Sequence, residues 1–136
     1  MTTGAADSRR DDSAHPHYHL VERLLRSLEE GDLAGVRACF APDAAIWHNF
    51  DQLTVTPDQN QAGNRYYFET FVRRDYNVRR LKLLPDGALL QFVVSLEKAD
   101  GRTFDWPGCI VFEIVGDTIS RLEEYVDIGS FTAAMG

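Results

Sequence analysis

Residues 78–128 read VRRLKLLPDGALLQFVVSLEKADGRTFDWPGCIVFEIVGDTISRLEEYVDI, and this stretch decides the fold. It contains four strand-like runs, Val78 to Leu84, Ala88 to Lys98, Thr103 to Val115 and Thr118 to Ile128. Between them lie Pro85-Asp86-Gly87, Asp100-Gly101 and Gly116-Asp117. Such pairs are hairpin turns, because glycine adopts the left-handed backbone that a tight antiparallel reversal needs. Consecutive hairpins predict an antiparallel meander. Trp106-Pro107-Gly108 interrupts the third run; proline has no N–H to give a ladder, so a bulge or bend is expected there. A bent sheet can curl around a cavity.

Upstream, Tyr18, Val21, Leu25 and Leu28, flanked by Leu20 and Leu24, follow the three-to-four spacing of an amphipathic helix over Tyr18 to Leu28. Gly31 is its left-handed cap. Asp32 caps a second short helix with Leu33, Val36 and Phe40 on its apolar face, stopped by Pro42. A strand Ala44 to Phe50 and a polar loop lead to Pro57-Asp58, which start a third helix with Tyr67, Phe68, Phe71 and Val72 as its stripe. Helices followed by hairpins predict an α+β domain, a curved antiparallel sheet wrapped around N-terminal helices. With one end closed by the Tyr67/Phe71 helix, the expected shape is a cone-shaped barrel with an apolar interior and an open mouth.

The 136 residues fit one domain, with residues 1–14 read as a flexible tail and residues 15–136 as the folded unit. Hydrophobic residues at 44% and charged ones at 26% exclude a disordered or membrane-spanning chain, and no signal-peptide core lies in Met1 to Ser13. A cytoplasmic protein without a membrane partner is expected. A net charge of -7 and the lack of a basic, aromatic-studded patch speak against nucleic acid. Cys39 and Cys109 read as two buried thiols in a helix and a strand. His15, His17 and His19 lie in the tail without a fixed acidic or thiol partner, so no metal site is expected. No Gly-rich phosphate loop, His-Glu-x-x-His or Ser-His-Asp grouping points to a cofactor or a hydrolytic triad.

The run Ala45-Ile-Trp-His-Asn-Phe-Asp51 carries polar groups where a plain core strand would carry valines, and such groups must be paired or face a cavity. Strand parity places Trp47 and Asn49 together on the presumed cavity face and turns His48 away. Trp47 then reads as a pocket wall. Asn49 either orients a ligand oxygen or water, or satisfies backbone groups at the strand end. In the last strand Tyr125 and Asp127 share a face. Within a cavity, desolvation would raise the pKa of Asp127 towards acid–base use; the alternative is a capping carboxylate at a strand end. Gln91 and Ser95 share parity with Leu89 and Val93 as polar points of the lining, although Gln91 also suits a solvent edge. Phe92 and Val94 fall on the outer face, where an apolar sheet favours a homodimer that a charge at Phe92 would split. Tyr67 and Trp106 are read as lid and wall.

Leu28-Glu-Glu-Gly-Asp-Leu-Ala-Gly-Val-Arg-Ala-Cys-Phe40, the Ala41-to-Asp51 run and Ile119-Ser-Arg-Leu-Glu-Glu-Tyr-Val-Asp127 resemble the nuclear-transport-factor-2-like superfamily, in particular its SnoaL-like branch. The resemblance spans about residues 18 to 131 and implies the same cone, the cystatin-like or nuclear-transport-factor-2-like fold. In limonene-epoxide hydrolases a tyrosine and an asparagine position water on the first strand, where Trp47 and Asn49 fall; their arginine and acid–base aspartate would fall on Val93 and Ser95. Ketosteroid isomerases place a base aspartate where Asn49 lies and an acid near Ile110. Those carboxyls are missing here. SnoaL-type cyclases use an aspartate on the last strand, and Asp127 is similar to it. The resemblance therefore implies a cofactor-independent acid–base enzyme of cyclase, isomerase or dehydratase type. Asp127 and Asn49 would be its catalytic pair on a small, apolar, oxygenated molecule. The alternative is a non-catalytic binding or dimerisation domain of the same fold.

Overall fold

The computed structural model describes residues 12–135. The tail expected over residues 1–14 lies mostly outside them; Asp12–Ala14 form a single 3-10 turn that leads into α1, Pro16–Glu30. This helix starts earlier than its apolar pattern suggests. Pro16 occupies its first turn, where a missing N–H costs nothing, and the His15 ring accepts the His17 amide at 3.1 Å as a cap. His17 Nδ1 lies 3.0 Å from the carbonyls of both Leu84 and Gly87, so this histidine belongs to the folded domain and not to a tail. Gly31, at φ 70°, ends α1. Asp32 caps α2, Leu33–Ala38, by accepting the Gly35 amide at 2.9 Å.

Strand β1, Phe40–His48, follows at once, and Pro42 sits in it rather than ending a helix. Pairing slips between Phe40 and Ala45, so this proline falls in the irregular stretch and removes no regular ladder bond. The loop after β1 contains a two-residue strand β2, Thr54–Val55, not foreseen from its polar composition. Helix α3, Pro57–Thr70, begins with a capping box between Thr56 and Gln59. Phe71 and Val72, expected on this helix, instead open β3, Phe71–Leu84. The β-branched and aromatic residues Phe71, Val72, Tyr76 and Val78 explain the early switch to an extended chain.

The meander continues as β4, Gly87–Lys98, β5, Thr103–Val115, and β6, Thr118–Val126, before a last helix α4, Ile128–Met135. One six-stranded curved sheet results, ordered β2-β1-β6-β5-β4-β3, antiparallel except where β1 runs parallel to β6. The α+β architecture read from the hairpin turns is therefore present. Trp106-Pro107-Gly108 does not bulge against β4: the three pair regularly with Val94, Val93 and Phe92. Pro107 is tolerated because β6 reaches only as far as Gly108, which leaves β5 unpaired on that side beyond it. Along the meander the irregular points lie elsewhere, between Phe71 and Arg73, between Val78 and Arg80 and between Glu113 and Ile114.

The inner face of the sheet carries Ala44 and Ile46 of β1, Leu90, Phe92, Val94 and Leu96 of β4, Ile110 and Phe112 of β5, and Leu122 of β6, all buried. Leu20, Val21, Leu24 and Val36 of the helices close over them. Gly108 is required by this packing. A Cβ there would lie 2.5 Å from the Phe92 ring, well inside van der Waals contact. Arg74, also buried, ties the end of α1 to the sheet: it donates to the carbonyls of Leu28 at 2.8 Å and Glu29 at 3.1 Å and to that of Phe71. Its guanidinium lies 4.7 Å over the Phe68 ring. Among the described residues no helix is long and apolar enough to cross a membrane.

Candidate functional site

Between the inner face, α1 and α3 lies a cavity of about 360 Å³. Its walls include Leu24, Val36, Phe40, Ile46, Phe71, Phe92, Val94, Ile110 and Leu122, and its polar groups include His48 and Glu124 of the sheet, Tyr67 and Tyr76, and, nearer the mouth, Asp51, Asn60 and Asn64. Alternation explains the last set. Ala44, Ile46 and His48 share one face of β1, and Leu122, Glu124 and Val126 share one face of β6. The parallel register places His48 beside Glu124, and Nε2 meets the carboxylate at 3.2 Å.

His48 is held above the ordinary imidazole range. Burial alone would lower its pKa, but the hydrogen bond to Glu124 and the charges of Glu124 and Asp51 outweigh that. Its ring stacks on Phe50, 4.9 Å between centroids, at the cavity mouth. The Tyr67 and Tyr76 hydroxyls lie 2.8 Å apart. Burial pushes both phenols well above their usual value, and the Glu124 charge adds to this, so both stay protonated across the physiological range. Within this pair one O–H is used between the phenols and the other is left to donate.

The placement of the residues expected in a site differs from the parity assigned above. Trp47 and Asn49 point to the outer face, and His48 points in. The large indole drew the assignment, but Ile46, 1% exposed, is the residue that marks the buried face of β1. Trp47 packs against exposed Tyr125, ring centroids 5.2 Å apart and planes tilted by 59°, outside the cavity. Asn49 acts on the backbone: its Nδ2 donates to the Val126 carbonyl at 3.0 Å, and its Oδ1 accepts the Val126 amide at 2.9 Å. The side chain thereby continues the β1–β6 ladder where β1 ends. Asn49→Ala removes both bonds and is expected to lower stability by about 1–3 kcal/mol, measured by urea unfolding, while leaving the His48 titration in place.

Asp127 follows β6 and faces solvent. It accepts from the Ser130 hydroxyl at 2.7 Å and the Gly129 amide at 3.0 Å, capping α4, and these bonds hold its carboxyl below the usual range. This is the opposite of the upward shift that acid–base use of Asp127 requires. Gln91 and Ser95 are also on the outer face, because Ala88, Leu90, Phe92, Val94 and Leu96 form the buried row of β4. Ser95 donates to Asp105 at 3.1 Å and accepts from Asn77 at 3.2 Å. Gln91, Tyr125 and Asp127 do come together, but around a shallow hollow outside the barrel. Phe92 and Val94, read as an outward apolar face, are in the core. Tyr67 and Trp106 line the cavity, and the Trp106 indole donates to the Asp127 carbonyl at 3.1 Å. Glu124 and Tyr76 were missed; the apolar flanks Leu122 and Val126 were the signal for Glu124. Among the described residues no three His, Cys, Asp or Glu gather as a metal site.

The comparisons with known proteins agree with this geometry at the level of the fold. IdmH from Streptomyces antibioticus, a candidate polyketide cyclase, superposes with a TM-score of 0.78 at 16% identity, over 90% of this chain and 99% of that one. An epoxide hydrolase from M. tuberculosis, of the LEH-like kind, gives 0.72 at 17% identity, over 88% of each chain. A protein from Catenulispora acidiphila with a ketosteroid isomerase-like fold, in complex with trimethylamine, gives 0.74 at 14% identity, over 85% and 90%. Among curated proteins no sequence match is found. The sequence profile of the SnoaL-like domain matches residues 21–122, from α1 into β6. The chain belongs to the SnoaL-like domain family, within the nuclear-transport-factor-2-like fold.

Proposed function

We propose that the chain is a cofactor-independent acid–base enzyme acting on a small, largely apolar, oxygenated molecule, with His48 as the group that moves the proton. The observation that carries this reading is the His48–Glu124 pair, directed into an apolar cavity that also holds two protonated phenols. With Nε2 engaged by Glu124, Nδ1 is the nitrogen free to exchange a proton. Neutral His48 takes a proton from carbon next to a carbonyl, and the imidazolium returns it at another position or to a leaving hydroxyl. The carboxylate of Glu124 stabilises the intermediate imidazolium. The phenol pair donates to the carbonyl oxygen as negative charge grows there. Isomerisation, dehydration and aldol-type cyclisation all use these steps.

The test is deuterium exchange at the carbon between the ring and the carbonyl of 2-tetralone in D₂O, followed by proton NMR. The chain is expected to accelerate exchange, and His48→Asn to lose about 10²- to 10⁴-fold of that acceleration. Binding without acceleration would favour a ligand-binding domain instead. The rate should rise with pH as His48 loses its proton, through a pKa above the ordinary value of about 6.5. Glu124→Gln moves that limb to lower pH. The same pair affects stability: a raised pKa stabilises the fold below the unfolded-state value, and this contribution is lost as pH rises through the folded-state value. Glu124→Gln therefore destabilises more in mild acid than in alkali, as a denaturant series at both pH values would record.

A further inference from the structure

The face of α3 that looks into the cavity carries Asn60, Gly63 and Asn64, one turn apart, beyond which lies Tyr67. Both asparagines are partly buried, and neither side-chain amide has a hydrogen-bond partner among the described residues. Half-buried amides left without partners are costly unless something from solution completes them. Between them Gly63 leaves open space: a Cβ built there meets nothing within 4 Å. Glycine inside a helix is less stable than alanine, so the notch runs against helix propensity. The charges around the cavity are one-sided. Asp51 and Glu124 are carboxylates, His48 is already paired with Glu124, and among the described residues no lysine or arginine lines the cavity.

Resting on the acid–base reading of His48, we infer that Asn60 and Asn64, across the Gly63 notch, determine specificity by binding a second, uncharged oxygen of the substrate. The substrate class is then a small polycyclic or extended ketone with a hydroxyl or keto group remote from the reacting carbonyl. An anionic handle such as a carboxylate or phosphate is rejected, because its charge would meet Asp51 and Glu124 with no cation to receive it. The amides suit either a donor or an acceptor on the ligand, since each presents both a carbonyl and an NH₂.

The probes are 2-tetralone, 6-hydroxy-2-tetralone and the 6-carboxylate of the same ketone, titrated by Trp106 fluorescence and by the His48 ring signals. For the wild type the hydroxy ketone is expected to bind about five- to tenfold more tightly than 2-tetralone, the increment of one neutral hydrogen bond. The carboxylate should bind at least about tenfold more weakly than the hydroxy ketone. Asn60→Leu with Asn64→Leu should bring the hydroxy-to-parent ratio to about one. Gly63→Leu, which favours the helix and fills the notch, should weaken all three ligands. Equal binding of the carboxylate, a ratio unchanged in the double variant, or no effect of Gly63→Leu would each overturn the inference. In those cases 2-tetralone exchange through His48 would still stand. If instead exchange and binding of 2-tetralone are both absent, the acid–base reading fails and the specificity reading fails with it.

Discussion

Phe92→Asp is expected to leave the domain unfolded at neutral pH. Phe92 is 3% exposed, its ring lies against Tyr76 at 5.3 Å, and Gly108 has no side chain in order to admit it. Truncating a buried aromatic ring costs about 3–5 kcal/mol, and burying a carboxylate without a partner adds several more. The sum reaches the whole stability of an ordinary domain, about 5–15 kcal/mol. Loss of near-UV circular dichroism and collapse of amide dispersion in NMR would report it, with Phe92→Leu, expected to cost under about 1.5 kcal/mol, as the folded control. A folded Phe92→Asp chain that merely changes its oligomeric state would reverse the conclusion. That result would return Phe92 to the outer face, where the alternation of Gln91, Val93 and Ser95 had placed it.

The second large effect is at Arg74. Its three donors satisfy carbonyls at the end of α1 and the start of β3, and among the described residues its guanidinium forms no ion pair, so it neutralises a helix C-terminus instead. Arg74→Met keeps the apolar stem but takes a donor from each of three carbonyls, of which that of Leu28 keeps the Gly31 amide. The expected loss is about 3 kcal/mol, seen as a fall of roughly 6–12 °C in the thermal midpoint. Arg74→Lys keeps the charge but not the fork of donors, and should recover only part of that loss.

These two sites also show what the sequence could and could not tell. The hairpins were legible because Asp-Gly and Gly-Asp turns are local, and so were both early helices and the cap at Gly31. Which face of each strand looks inward was harder, because in β1 both rows hold a large apolar residue, Ile46 in one and Trp47 in the other. In β4 the row from Ala88 to Leu96 is wholly apolar, whereas the other row mixes Leu89 and Val93 with Gln91 and Ser95. The inward row is legible there once all five residues are weighed together. One parity error in β1 turned His48 outward and brought Asn49 in. Arg74 was not legible at all, since a buried arginine takes its meaning from carbonyls contributed 45 and 46 residues earlier. Asp127 was located correctly at a strand end, but only the helix after it reveals a cap.

The side-chain ladder between Asn49 and Val126 joins residues 77 apart, and β6, which carries Val126, is inserted between β1 and β5. The last strand in chain order among the described residues is therefore a central one. Without β6 the sheet is two separate pieces, a β1–β2 ribbon and a β3–β5 array, each with an unpaired edge facing the gap. His48 lacks Glu124 until β6 is in place. Docking of β6 thus joins the two pieces, covers the edges that face it and completes the reactive pair in one step, a long-range closure of the kind that is intrinsically slow.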